Sequence, residues 1–397
     1  MTRKSNVTAM AVKMQAAAET FDAPSSTDDV WPIASLQPQI NGVTIQNDEY
    51  TGSVHKPGDE VIGKRFSASF TIYLRPPGGD DVPAADAWIP GRFLKAMKFT
   101  EVRTAAAIPA AAEAVSGGTA TGVTLGAGAT GTEDLYKSMA LILSDNGATV
   151  KEQLTAIRSY AADKTVELVE TLGTPPAAEY QIPKQLSFQR SIDESDAPFL
   201  SMSLWLGGLR YDLVDVAMSS ARFVIPTSTR DQGAYPRLEV SIDARIHAYA
   251  DEATPSIPSV GNIPFWKDGD FWVAHKAVGG SSLTIDLGLT TAAPPNPNFE
   301  DGSGSPEIVE TRGSINMDRQ AYLKAQFDTL AMAQAQTQHP VFAQWGYTSG
   351  KIIQLVVPDA RFNYQSPTLG NEFITESGDM FIDVFDKSVS LNFPYFG

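Results

Sequence analysis

Three short stretches of the chain carry residue types that could bind a phosphate or a metal ion. Gly126–Gly131 has the Gly-x-Gly-x-x-Gly spacing of a dinucleotide-binding loop, and Gly58–Lys64 is similar to a phosphate-binding loop. Asp268–Asp270 has the Asp-x-Asp spacing that opens a calcium-binding loop. Each of these chemistries also requires a fixed context around the motif, and that context decides whether the motif can function.

The context around all three stretches is wrong for ligand binding. A dinucleotide loop opens a helix, but Ser138–Leu143 beyond Gly131 has the pattern of a strand that leads into a hairpin turn. In the phosphate-like loop, Arg65 replaces the Ser or Thr that would hold magnesium, and Asp59 would place negative charge in the cradle. No Glu follows Asp268 at the distance that a calcium loop needs. We therefore predict solvated turns at all three places.

The histidine and cysteine content leaves little room for catalysis. The chain has no cysteine, which excludes disulfides and thiolate metal sites. Its four histidines are far apart in the sequence: His55, His247, His275 and His339. Because 46 residues are acidic, neighbouring carboxylates carry no weight as acid–base pairs. We predict a protein that is not an enzyme and has no catalytic, cofactor-binding or metal-binding residue.

Four aromatic residues form a cluster that has two interpretations. Phe265, Trp266, Phe271 and Trp272 could form a platform on which a sugar ring stacks. Packing in a core or at an interface is the other use of such rings. A β-rich carbohydrate-binding protein therefore stays open as an alternative function.

The composition indicates a β-rich chain with an acidic surface. The 397 residues include 31 glycines and 26 prolines among short β-branched runs, which is typical of strands joined by many turns. The formal net charge of −16 is a poor match for nucleic-acid phosphates but suits a wall past which DNA slides without binding. The first 24 residues lack the apolar core of a signal peptide, and no apolar run is long enough to span a membrane.

A short text occurs twice in the chain and predicts an internal duplication. Ala217–Phe223 and Val356–Phe362 both end in Ala-Arg-Phe, and each follows a segment rich in Trp and Gly. Upstream, the strand around Thr44 is similar to the strand around Thr284. Since the offset between the copies is 240 positions upstream and 139 at the Ala-Arg-Phe text, the first copy holds roughly a hundred extra residues. We expect the two arginines, Arg222 and Arg361, to lie at structural boundaries.

These observations predict a domain organisation. Residues 1–30 form an N-terminal arm without a strand, and an Ala-rich linker, Ala105–Val115, leads to the insertion. A first fold at 31–250 is interrupted by a small β module at 118–182, and a linker at 251–262 leads to a second fold at 263–397. Helix-like runs are predicted within each fold, at Asp86–Met97 and Asp318–Gln336. The apolar C-terminal end, Leu391–Phe396, should dock on a neighbour or on its own sheet.

The order of these elements resembles the tail tube proteins, or major tail proteins, of long-tailed bacteriophages. The resemblance is carried by six segments of the chain: Trp31–Ile45, Val61–Leu74, Pro83–Trp88, Phe93–Glu101, Ser282–Gly288 and Glu310–Ile315. The order is a strand, a polar loop, a second strand, a Pro-Ala-Trp lead-in and a short helix. The inserted module and the N-terminal arm depart from the shorter members of the family.

The resemblance implies a mainly β protein made of two tandem tail-tube β-sandwich or barrel folds, each with a flanking helix, plus the inserted module. Six such folds form a ring in the family, so three chains would form a pseudo-hexamer, and stacked rings would form the conduit for DNA in a siphovirus-type virion. The implied partners are further copies of the chain and the terminator, tape-measure and distal tail proteins. Assembly would occur in the host bacterial cytoplasm. A tail terminator or hub protein is an alternative that shares the fold.

Overall fold

The computed structural model describes residues 8–49, 58–144, 154–172, 179–193, 197–226, 235–261, 263, 269–299, 302–369, 373–383 and 385–396. Within these residues the chain is mainly β, with large antiparallel sheets and two short helices, which confirms the predicted β-rich class.

The elements fall into a first part, an inserted stretch and a second part. The first part begins with β1 (Thr8–Met14), β2 (Val30–Trp31), β3 (Ala34–Ile45), β4 (Glu60–Tyr73), α1 (Ile89–Ala96) and β5 (Phe99–Thr104). The inserted strands are β6 (Ile108–Ala114), β7 (Gly117–Thr119), β8 (Gly122–Thr124), β9 (Ala140–Ser144), β10 (Leu154–Tyr160), β11 (Thr165–Leu168) and β12 (Glu179–Ile182). The first part then ends with β13 (Lys184–Arg190), β14 (Leu200–Leu206), β15 (Leu209–Pro226) and β16 (Arg237–Asp251).

The second part has a similar order of elements. It begins with β17 (Gly269–Val273), β18 (Lys276–Ala277), β19 (Gly280–Asp286), β20 (Leu289–Ala292), β21 (Glu307–Thr311), β22 (Ser314–Gln320) and α2 (Thr329–Ala335). It ends with β23 (Gln338–Trp345), β24 (Ile353–Phe362), β25 (Ser366–Leu369), β26 (Ile374–Ile382) and β27 (Ser390–Tyr395).

Eight antiparallel neighbours form what we call the long sheet. Its order is β3, β4, β16, β15, β19, β22, β26 and finally β24, with β25 extending the last position along β26. The pairing of β15 with β19 joins the two parts of the chain in one sheet. Phe66, Phe70 and Ile72 of β4 lie on one face of this strand and are buried, because side chains alternate between the faces of a strand.

Two further groups of strands cover the apolar face. One has the order β2, β1, β14 and the first half of β15, and the other has the order β5, β13, β27, β24, β23, β17 and β18. Strands β15 and β24 therefore each begin in a covering group and end in the long sheet. Most of the buried apolar side chains lie between these layers and form one continuous core.

The C-terminal strand confirms that the apolar end of the chain docks on its own sheet. Strand β27 pairs with β13 from the first part and with β24 from the second, and all six of its residues are buried. Phe393 lies 4.6 Å from Trp88, between ring centroids, so the last strand seals the core beside α1.

The inserted strands form a module with its own core, centred on Leu141, Ile157 and Leu168. The module is connected to β5 at one end and to β13 at the other. These two strands are neighbours, since Thr104 at the end of β5 is the register partner of Gln185 in β13. The expected Ala-rich linker was wrong: Ile108–Ala114 is strand β6, which pairs with β12 inside the module. The module therefore begins earlier than the predicted residue 118.

Three other expectations were also wrong. The N-terminal arm contains strand β1, whose seven residues all pair with β14, and whose small Ala and Val side chains disguised a buried strand. The sequence also predicts a polar loop at Gly52–Lys64, and this is wrong from Glu60 onwards because β4 begins there. The helix predicted at Asp318–Gln336 is confined to Thr329–Ala335, since Asp318 still belongs to β22.

Candidate functional site

The exposed face of the long sheet is a polar surface of small hydroxyl groups and paired charges. A shallow groove of about 610 Å³ crosses five of its strands. The groove is lined by Gln37, Ser69, Thr71, Tyr73, Arg222, Arg237, Glu239, Ser241 and Asp286 among others. Such a surface has no apolar pocket for a small ligand and no aligned donors that would hold a substrate.

The arginines on this face form ion pairs with carboxylates of the same face. Glu239 accepts hydrogen bonds from Arg222 at 2.6 Å and from Arg237 at 2.8 Å. Burial opposes the ionisation of Glu239, but the hydrogen bonds from the two guanidinium groups outweigh it, so its pKa is lowered. Arg65 pairs with Asp243 at 3.3 Å in the same way. Cations held like this do not offer a free binding site for phosphates.

The two arginines of the repeated text occupy different places in the long sheet. Arg222 is the register partner of Asp286, at the seam between β15 and β19. Arg361 lies in β24, the last strand of the long sheet, and pairs with Asp383 at 3.1 Å.

A buried aspartate lies near the point where β15 stops pairing with β14 and continues in the long sheet. Asp215 has a positive φ of 53° and no exposed side-chain surface. Its carboxylate accepts hydrogen bonds from Gln15 at 2.6 Å, the backbone of Glu19 at 2.7 Å and Ser305 at 2.7 Å, and it pairs with Arg245. Burial opposes its ionisation, yet these donors together lower its pKa.

A second aspartate lies at the equivalent crossover of β24. Residues Gln354–Val356 of β24, before Asp359, pair with β27, and residues Ala360–Phe362, after it, pair with β26, while β23 pairs with β24 on both sides of Asp359. It binds two cations of the inserted module, Arg158 at 3.0 Å and Lys137 at 3.5 Å. One crossover carboxylate thus holds the N-terminal segment, and the other holds the module.

The dinucleotide-like loop binds an anion of the protein itself. The Glu113 carboxylate of β6 accepts hydrogen bonds from the backbone amides of Ala127 at 3.0 Å and Gly128 at 2.8 Å, and from Tyr180 at 2.8 Å. The Gly128 amide is the main reason why the pKa of Glu113 is lowered. Within the described residues no helix follows Gly131, since turns lead directly to β9, as predicted.

The remaining candidate motifs also lack a site. Asp268 lies outside the described residues, and Asp270 accepts a hydrogen bond from Tyr347 at 2.9 Å. In the phosphate-like stretch, Glu60 onwards is a strand, so no cradle forms. No group of three or more His, Cys, Asp or Glu side chains suited to a metal ion occurs in the described part of the chain.

The aromatic cluster does not offer a sugar platform within the described residues. Phe265 and Trp266 lie outside them. Phe271 is buried in the main core, and Trp272 packs against Phe342 under the inserted module. No observation therefore favours the carbohydrate-binding alternative.

The two ends of the long sheet are exposed edges. Among the described residues, β3 pairs only with β4 and β25 pairs only with β26. Large apolar side chains are exposed near both ends: Ile40, Ile45, Val61 and Ile62 at one, and Tyr364, Leu369, Phe373 and Ile374 at the other. Unpaired strands with exposed apolar side chains mark surfaces that pair with another chain.

Comparison with known proteins adds no relative. No protein-family model matches the chain, and no curated protein matches it significantly. In the described residues no helix has the length and apolar character needed to cross a membrane.

Proposed function

We propose that this protein is the structural subunit of a phage tail tube, built from two copies of one fold, and that it assembles into rings that stack into a conduit for DNA. The observation that carries the proposal is the order of strand pairing, which is the same in the two parts of the chain. Sequence resemblance supports the same conclusion independently.

The covering groups correspond strand by strand. In the first part β2 pairs with β1, β1 with β14, and β14 with β15. In the second part β18 pairs with β17, β17 with β23, and β23 with β24. The N-terminal strand thus belongs to the first copy of the fold.

The long sheet corresponds in the same way. The first part contributes β3, β4, β16 and β15, and the second contributes β19, β22, β26 and β24 in the same order. The hairpin of β3 and β4 corresponds to the hairpin of β19–β20 and β21–β22. The strands of each hairpin are joined by fourteen residues, 46–59 and 293–306.

The pairing registers define which residues correspond, and they shift the correspondence that the sequence alone predicts. Counting along β4 and β21–β22 from the equal connections aligns Glu60 with Glu307, and the same count aligns Arg65 with Arg312 and Ser67 with Ser314. The crossover residues Asp215 and Asp359 then coincide. The two Ala-Arg-Phe texts lie about five residues apart in this alignment, and Thr44 falls near Thr290.

A sheet with one buried face, one polar face and two matching free ends is suited to closing into a ring with further copies. Three chains would supply six folds and place the polar face of every long sheet towards the lumen. Asp286 and Glu239 lie on that face, and its arginines are already paired. DNA would therefore pass without specific binding.

The inserted module covers the opposite side of the second part, where Ala156 and Val169 pack on Phe342 and Val356. It would therefore face outwards from the tube. The fourteen-residue connections at the hairpin ends would reach the next ring, and the terminator, tape-measure and distal tail proteins would be further partners in the virion.

Electron microscopy of the purified protein tests this proposal. We expect rings or tubes whose lumen is wide enough for duplex DNA. A particle that stays monomeric at high concentration, both alone and with virion extracts, would rule the tube out. Quantifying the chain in virions separates a tube subunit, present in many rings, from a terminator or hub present in one.

A further inference from the structure

We propose that Pro38 and Pro367 together weaken the pairing of one chain with the next. The inference rests on the proposed tube function, because it concerns the seam that would close the ring. The partner it commits to is a second copy of this chain.

The chain contains its own template for that seam, between β15 and β19. Phe223 is there the register partner of Ile285, and both side chains are buried. The amide of Leu287 donates to the carbonyl of Ala221 at 3.0 Å. Since hydrogen-bonded pairs recur at every second residue of an antiparallel ladder, Phe223 and Ile285 form the next such pair.

The free ends of the long sheet carry the counterparts of these residues. Phe223 lies opposite Leu238 in β16, and Pro367 lies opposite Glu376 in β26. Leu238 and Glu376 occupy the same position in the alignment of the two parts, so Phe223 corresponds to Pro367. Ile285 corresponds to Pro38 in the same way, opposite Ile315 in β22 and opposite Ala68 in β4. Repeating the internal seam between two chains thus places one proline directly against the other.

The exposure of the neighbouring residues indicates that a second copy covers these ends. Ile225 at the internal seam is 1% exposed, whereas its counterpart Leu369 is 82% exposed. Pro38 is likewise exposed, while Ile285 is buried. Corresponding strands are covered at the internal seam, where the chain supplies the partner strand, and are uncovered at the two ends of the long sheet.

The two prolines reduce the number of backbone hydrogen bonds that the seam between chains can form. It has no backbone N–H, so two prolines at a hydrogen-bonded position remove both donors of that pair. The seam between chains therefore lacks a bonded pair that the seam within the chain has. Single chains would pair weakly through these edges, and rings would close only when other contacts, such as those with the ring below, add to the seam.

The first experiment restores the missing donors. In Pro38→Ala/Pro367→Ala both amides return, and in Pro38→Ile/Pro367→Phe the apolar side chains of the internal seam return as well. Two hydrogen bonds shift the association equilibrium about tenfold or more. We expect sedimentation velocity to show that both variants associate at a concentration about tenfold lower than the unmodified chain. Pro77→Ala, in a loop after β4, is the matched control and should not change this threshold.

An association threshold that stays unchanged in both double variants would contradict the proposed role of the two prolines. Circular dichroism checks that each variant is folded, and the alanine pair keeps the test valid if the larger side chains perturb the edges. Tubes that form with an unchanged threshold would remove this inference but leave the tube function standing. Absence of rings and tubes for every variant and for the unmodified chain would contradict both.

The second experiment tests the register directly, using the absence of native cysteine. Gln37→Cys with Thr368→Cys reproduces the Thr284 and Val224 pair of the internal seam, a non-hydrogen-bonded position whose Cα separation suits a disulfide. Assembled protein should form disulfides between chains. Gln37→Cys with Ser366→Cys is out of register by two residues and should cross-link at least tenfold less. Equal cross-linking of both pairs would contradict the proposed seam.

Discussion

At the residue scale, one carboxylate holds three separate segments at the crossover of β15. Asp215 binds the N-terminal segment through Gln15 and the second hairpin connection through Ser305, and it pairs with Arg245 of β16. A buried carboxylate in an unfavourable backbone conformation is retained only where its surroundings require it. We therefore regard it as the main polar tie of the first fold.

Asp215→Asn should lower the free energy of unfolding by about 3 kcal/mol, because Arg245 loses its charged partner in a buried site. Chemical denaturation measures the change. The matched control is Asp243→Asn, which weakens a half-exposed ion pair with Arg65 and should cost less than about 1 kcal/mol. Equal effects of the two substitutions would contradict the role given to Asp215.

The same residue predicts a pH dependence. Since the pKa of Asp215 is lower in the folded chain than the unfolded value of about 3.9, its contribution is present above pH 4 and is lost as pH falls through the folded pKa. The stability difference between the unmodified chain and Asp215→Asn should therefore shrink in acid. A difference that is constant from pH 6 to pH 2 would contradict this assignment.

The Glu113 carboxylate accepts the hydrogen bonds that the amides of the glycine-rich loop would otherwise offer to a ligand. Glu113→Gln should weaken the hydrogen bonds from Ala127 and Gly128, because a neutral acceptor is poorer than a carboxylate. Hydrogen exchange at these two amides should then become faster, while exchange in β27 stays unchanged. Unaltered exchange in the loop would show that Glu113 does not hold it.

At the element scale, the sequence predicts the presence of strands better than it predicts which residues of the two parts correspond to each other. The alternation in β4 and the buried C-terminal strand could be inferred, because their apolar spacing is clear. Strand β1 and strand β6 could not, since Ala-rich segments have no distinctive period and their burial depends on distant partners. Register depends on hydrogen-bond pairing between remote strands, which the Ala-Arg-Phe text does not report.

Arg158 makes several of the polar contacts that dock the inserted module on the second part of the chain. Arg158 binds Glu167 of the module at 2.5 Å and, across the interface, Asp359 and the carbonyls of Gln338 and Pro358. Arg158→Ala should loosen the interface while the module core stays folded, because that core does not include Arg158. Hydrogen exchange should rise in β23 near Gln338 but not at Leu141.

Arg210→Ala provides the control for this test, because its ion pair with Glu252 lies far along the chain from the module. The same increase in exchange near Gln338 for both variants would show that the effect is not specific to the docking contact.

At the scale of the whole molecule, the candidate surface emerges only from the assembled sheet. Its polar residues come from strands separated by more than two hundred positions, such as Ser69 and Asp286, and no local motif joins them. From the sequence alone we predict an internal duplication and no catalytic arrangement, and both stay predictions. The free ends of the sheet, and the prolines that lie there, required the pairing registers.

The most direct test of the central claim is a cryo-electron microscopy cross-section of the assembled protein. We expect a closed ring of three chains with six similar folds, a polar sheet face towards the lumen and three inserted modules on the outside. Six modules around one ring would mean that each chain supplies a single fold position, which would contradict a duplicated subunit. An assembly without a lumen would contradict the tube itself.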